Sequence, residues 1–226
     1  MSSKSQQDIY LQATPAGAYY CTRQESTDTA SRLLRYLLGA ASTPLYSLTD
    51  VSSWLDCSET KVQEVLRHME KIRWLQNLTE PRYVTPGAFE EVLPGILAPL
   101  SQSEKILLAD GQGFYIASQG IPHETAEELS ALGADLSSLY ERHQGLLKGN
   151  LNFHGNWAVV DAAGYSQLGF WPLHVGKELF FLIVEGMPRF DHKYFLELVW
   201  LLYNRYAPSV SLQSPNTVSK FTNVRI

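Results

Sequence analysis

Six histidines (His68, His123, His143, His154, His174 and His192) and two cysteines (Cys21 and Cys57) are the side chains that could ligate a metal or attack a carbon centre. Their spacing supports neither chemistry. No His-x-x-x-His pair occurs, and two cysteines alone cannot close a structural zinc site or a disulfide framework. Cys57 stands directly before Ser58 at a helix-turn junction, where a small core residue is expected. No Gly-x-Ser-x-Gly elbow and no Gly-Lys-Ser/Thr loop is present. Asp110 and Asp161 are the carboxylates that could be paired for acid-base work. Each, however, stands three residues before a glycine and four before an aromatic (Asp110, Gly113, Phe114; Asp161, Gly164, Tyr165). That repeated spacing predicts a hairpin turn, in which Asp bonds its own backbone and Gly takes positive φ. The chain therefore reads as non-enzymatic, with no metal and no cofactor.

The elements that would position these residues divide into two segments meeting near Pro86 and Gly87. Residues 1–86 carry nine basic and nine acidic side chains, whereas residues 87–226 carry nine and fourteen, so the net charge of -5 belongs to the second segment. This argues against a bulk polyanion binder. No apolar run approaches the ~20 residues that span a bilayer, and residues 1–8 are polar, so cytoplasmic placement without membrane insertion is expected. Residues 1–26 and 208–226, rich in Ser, Thr, Gln and Asn, are expected to be a flexible lead-in and a flexible tail.

Residues 27–86 read as three helices and a hairpin. Asp28 caps a helix with Leu33, Leu34, Leu37 and Leu38 on one face, ended by Gly39; a short helix covers 49–55. Ser58 caps a third, in which Val62, Val65, Leu66, Met69 and Ile72 form one stripe. Trp74 and Leu75, a polar turn through 77–81, and Tyr83 and Val84 predict a hairpin. In order and length, residues 33–84 resemble a winged helix-turn-helix. In DNA-binding members the second helix of the motif enters the major groove, which makes Lys61, Arg67, Lys71, Arg73 and Arg82 the candidate nucleic-acid contacts. Along that helix and its end, four basic residues face Glu59, Glu64 and Glu70, and much of the charge can pair at steps of three and four. A DNA-binding regulator is accordingly the second reading and protein contact the first.

Residues 87–207 predict a helix over 88–97, strands over 104–109 and 114–118, a long helix over 124–147, strands over 157–160, 165–173 and 178–184, and a closing helix over 191–206. The run Leu179-Phe-Phe-Leu-Ile-Val184 is apolar at every position, as in a central strand covered on both faces. Leu129, Leu132, Leu136, Leu139 and His143 recur at steps of three and four on the long helix, a seam for a sheet or for a second copy. Phe170 and Trp171 alternate to opposite faces, so one of them is a candidate partner contact.

The stretch Leu107-Leu-Ala-Asp-Gly-Gln-Gly-Phe-Tyr-Ile-Ala-Ser-Gln-Gly120, followed by Glu127-Glu-Leu-Ser-Ala-Leu132, resembles the roadblock/dynein light chain family. The resemblance implies a roadblock-like α/β domain over residues 87–207, and with the winged-helix-like reading of residues 27–86 before it the expected fold is α+β, a winged-helix-like domain followed by a roadblock-like α/β domain. The latter would hold a five-stranded antiparallel sheet with a long helix and flanking helices. It further implies regulation without catalysis, a homodimer joined through the long helix and an edge strand, and a protein partner of the small Ras-like GTPase class.

Overall fold

The computed structural model describes residues 8–24 and 26–208; the expected tail over 209–226 and the first seven residues of the expected lead-in lie outside them. A five-stranded antiparallel sheet organises the second segment. Its strands are β3 (Ile106–Asp110), β4 (Tyr115–Gln119), β5 (Trp157–Val160), β6 (Ser166–Val175) and β7 (Glu178–Glu185), in the spatial order β4-β3-β7-β6-β5. β7 is the central strand, as its apolar run predicts, and Phe180 through Val184 are buried. Both predicted Asp turns form. Asp110 Oδ1 accepts from the backbone N–H of Gln112 and Phe114, each at 2.9 Å. Asp161 Oδ1 accepts from Ala163 at 2.8 Å and Tyr165 at 3.0 Å. Gly113 and Gly164 take φ of 93° and 86°, the left-handed backbone that closes both turns.

The residues before position 24 depart from the expected flexible lead-in. They form β1 (Tyr10–Ala13) and α1 (Pro15–Thr22). Thr14 caps α1 by accepting from the Gly17 N–H at 3.2 Å, and Pro15 occupies the first turn, where a missing N–H costs nothing. Gly17 is required by close approach: a Cβ there would stand 2.3 Å from the Trp74 carbonyl oxygen. Tyr20 stacks on Trp74 with ring centroids 3.7 Å apart. Packing against distant residues thus orders a stretch whose composition alone reads as a lead-in.

Three helices follow as predicted: α2 (Thr29–Gly39), α3 (Leu48–Leu55) and α4 (Glu59–Lys71), capped by Asp28, Ser47 and Ser58. The predicted hairpin does not form. β2 (Leu75–Leu78) pairs antiparallel with β1, from Ala13 opposite Leu75 to Tyr10 opposite Leu78. Tyr83 instead bridges to Ser42, and the Val84 N–H donates to the Ala41 carbonyl at 3.0 Å. The two halves of the expected wing therefore pair with other segments, because β1 takes the edge that Tyr83 and Val84 would have occupied.

Helices cover the two faces of the larger sheet differently. α5 (Phe89–Leu97) and α7 (Lys193–Tyr206) cover one face, and α6 (His123–Arg142) covers the other, followed by a wide turn over Gly145–Asn150. α7 also packs on α1 and α2, so every residue from Phe195 to Tyr203 is buried. One continuous cluster of buried side chains, including Leu33, Leu37, Leu93, Leu182 and Leu198, runs across the expected boundary at 86/87. Polar ties cross it too. Arg82 donates to Glu197 Oε1 at 2.7 Å, Thr85 to Glu197 Oε2 at 3.0 Å, and Trp200 Nε1 to the Ala40 carbonyl at 2.7 Å. The shift in charge marks a change of surface, while the core is shared.

Candidate functional site

α6 approaches the sheet through small side chains. Ala126, Ser130 and Gly133 are buried against Leu107, Ala109, Phe181 and Ile183. A Cβ on Gly133 would meet Phe181 and Ile183 at 3.5 Å, ordinary contact distance, so the helix axis lies close to the strands. This row of small residues splits the predicted seam. At ~100° per residue, Leu132 and Leu139 stand about 60° around the helix from Leu129 and Leu136. Leu129 and Leu136 are partly buried against the sheet. Leu132 and Leu139 are 43% and 38% exposed. His143 caps the C-terminus of α6 and is exposed, so it belongs to neither row.

β5 is an edge strand, paired only with β6, and its Val159 and Val160 are 57% and 55% exposed. An edge carrying apolar side chains and unpaired backbone groups is a template for strand addition. Sequence alternation alone could have flagged Val159 and Val160, but nothing local says that β5 lies at an edge. Phe170, one of the two candidate partner contacts, is buried beneath the α6 side of the sheet. Trp171 on the opposite face is half-buried, meeting Phe190 edge-on at 5.1 Å. Neither ring forms an exposed patch, because helices and loops cover β6 on both faces.

The candidate nucleic-acid contacts are not gathered as free cations. Lys61 pairs with Glu64 at 3.3 Å, and Arg67 donates to Gln63 Oε1 at 3.5 Å. Arg82 is held by the buried carboxylate of Glu197, away from any role as a wing tip. Lys71 and Arg73 are exposed at the end of α4, where Arg73 takes a left-handed φ of 58°.

The titratable groups explain themselves structurally. Burial pushes the Cys21 thiol up to about 11, opposed by its contact with Tyr203 Oη at 3.3 Å. Burial, reinforced by the Cys21 charge, likewise raises Tyr203. A thiol held that far above neutrality is not a nucleophile. Partial burial works against ionisation of Asp28. Hydrogen bonds from Ser26, Ser31 and Tyr20 outweigh it and hold the carboxyl well below the usual carboxylate range. His192 accepts from the Tyr194 N–H at 3.3 Å as the cap of α7, and His123 meets Tyr115 Oη at 2.5 Å. Among the described residues, no three His, Cys, Asp or Glu side chains are grouped to hold a metal ion. Among the same residues no helix is long and apolar enough to cross a membrane.

No protein-family model matches the chain, and no curated protein matches it. Among solved structures it is similar to a roadblock/LC7 domain from Streptomyces avermitilis, with 13% identity and a TM-score of 0.36 over 53% of this chain and 98% of that one. It is also similar to Myxococcus xanthus MglB, with 14% identity and a TM-score of 0.32 over 54% of this chain and 92% of that one.

Proposed function

We propose that this chain is a non-enzymatic regulatory or scaffold protein that forms a homodimer through its roadblock-like segment and binds a protein partner. The observation that carries the dimer is the division of α6. One side of the helix is spent on the sheet through Ala126, Ser130 and Gly133, and a second row leaves Leu132 and Leu139 in solvent. Fully burying an exposed leucine is worth ~1.5–3 kcal/mol, and covering the exposed 43% and 38% of these two gains a fraction of that each. The exposed apolar edge of β5 supplies a second self-complementary surface, and a two-fold axis lets both repeat across one interface. A small Ras-like GTPase is the partner class implied by the resemblance of residues 107–132 to the roadblock/dynein light chain family. The paired state of Lys61, Arg67 and Arg82 supports protein contact over DNA for the N-terminal helices.

Sedimentation equilibrium tests the dimer. The 25.4 kDa chain is expected to run at twice its mass, and Leu132→Glu with Leu139→Glu at its monomer mass with an unchanged circular dichroism spectrum. A wild-type monomer at ~100 μM, a concentration that would populate even a weak dimer, overturns the proposal. The partner class is tested by retention of Ras-like GTPases loaded with GDP or with a non-hydrolysable GTP analogue. Equal, background retention of both removes it.

A further inference from the structure

Away from the α6 leucines, a cavity of about 330 Å³ opens where the C-terminal end of α1, the end of α6, its following turn and the C-terminal end of β6 come together. Two cations, Arg23 and Lys148, line it against one carboxylate, Glu141, on a chain whose net charge is negative. Arg23 comes from α1, Lys148 from the turn after α6, His154 from the next loop and His174 from β6. Among the described residues, neither Arg23 nor Lys148 has a carboxylate within salt-bridge distance. The Arg23 guanidinium is packed over the Tyr20 ring at 4.8 Å, which fixes its plane, and its Nε is buried without a hydrogen-bond partner among those residues.

We infer that this cavity binds a small phosphate-bearing molecule, with Arg23 and Lys148 holding the phosphate. A phosphomonoester carries between one and two negative charges on three acceptor oxygens. That matches a planar guanidinium fork on one side and a mobile ammonium on another, each making charge-assisted hydrogen bonds. The imidazoles of His154 and His174 line the same space. Glu141 and Gln144, on the last turn of α6 and just beyond it, offer acceptors for hydroxyl groups of the remainder. That combination selects a hydroxylated phosphate such as a sugar phosphate over a bare anion. The lining joins the N-terminal helix to the far end of α6, so an occupant would tie the two together. The inference stands apart from dimerisation, since none of the lining belongs to the exposed leucine row.

Isothermal titration calorimetry of the full chain with ribose 5-phosphate, and with ribose as the uncharged control, tests it. Ribose 5-phosphate is expected to bind at about 1 mM or tighter and ribose not to bind. Arg23→Gln and Lys148→Gln should each weaken binding about tenfold or more, as loss of a charge-assisted hydrogen bond implies, with unchanged melting curves. Lys71→Gln, on α4 outside the cavity, should leave binding as in the wild type. Because Lys148 is exposed, its variant remains informative if Arg23→Gln disturbs packing on Tyr20. No binding of ribose 5-phosphate, or binding that survives Lys148→Gln in full, overturns the assignment.

Discussion

α6 and α7 lie on opposite faces of the same sheet, yet they are built to different ends. α7 is covered by the sheet beneath it and by α1, α2 and α5 around it, and its run from Phe195 to Tyr203 is buried without a break. α6 packs on the sheet, and at its C-terminal end Tyr140 meets Phe153 of the following loop. It buries Ala126, Ser130 and Gly133 and leaves Leu132 and Leu139 partly exposed. A helix that is apolar all round needs partners all round, and the N-terminal segment supplies them for α7 within the chain. Among the described residues, no further helix packs on the outer side of α6 in the way that α1 and α2 pack on α7. The difference teaches that the N-terminal helices α1 and α2 seal the outer side of α7, whereas the outer side of α6 carries two partly exposed leucines.

Substitutions can break this contrast in graded steps. The largest effect is expected from Trp200→Ala, which empties a fully buried site in α7 and leaves the Ala40 carbonyl without its indole donor. A loss of about 4 kcal/mol is expected in a urea denaturation series. Next is Gly133→Leu. The close approach of α6 to Phe181 and Ile183 leaves room for a methyl but not a leucine, and overpacking there should cost about 2 kcal/mol by the same measurement. If α7 and α6 were equivalent, the two losses would match.

A smaller effect tests how the α7 cover is held. Asp28→Ala removes the cap of α2, one of the helices on α7, and should cost about 1 kcal/mol near neutral pH. The Asp28 carboxyl is held below its unfolded value of ~3.9, so its contribution is complete above that pH and is lost as pH falls toward the folded value. The gap between wild type and variant, followed by thermal melts, should therefore close on acidification below about pH 4. A gap independent of pH would show that the charge plays no part. Smallest is Leu132→Ser, expected to change monomer stability by no more than about 0.5 kcal/mol in the same denaturation series, because that side chain already faces water. A large loss of monomer stability would place Leu132 in the core and erase the contrast.

Much of this architecture is legible locally. The capping residues Asp28 and Ser58, the unbroken apolar run of β7 and the twin Asp turns each follow from chemistry within a few residues, and each appears where the spacing predicts. What failed is long-range. Leu75 finds its partner in Ala13 instead of the nearby Tyr83 and Val84, and no local signal distinguishes those edges. The leucine seam of α6 was legible as a periodic feature. Its division was not, because the small residues Ala126, Ser130 and Gly133 carry little apolar weight in a periodicity, yet they let the backbone approach most closely. Phe170 and Trp171 alternate as expected of a strand, but their burial depends on what lies above and below it.

The sequence by itself determined the helices α2 to α7, the caps Asp28 and Ser58, the Asp turns and the central strand, because these depend on side chains near one another along the chain. Only the tertiary structure decided that β1 and α1 are ordered, that Arg82 is committed to Glu197, that β5 is an edge, and that Arg23, Lys148, His154 and His174 share one cavity. Those outcomes join residues from 57 to 151 positions apart, for example Gly17 with Trp74 and Arg23 with His174. They are set by which apolar surfaces bury each other best, a property of the assembled fold and of no single segment.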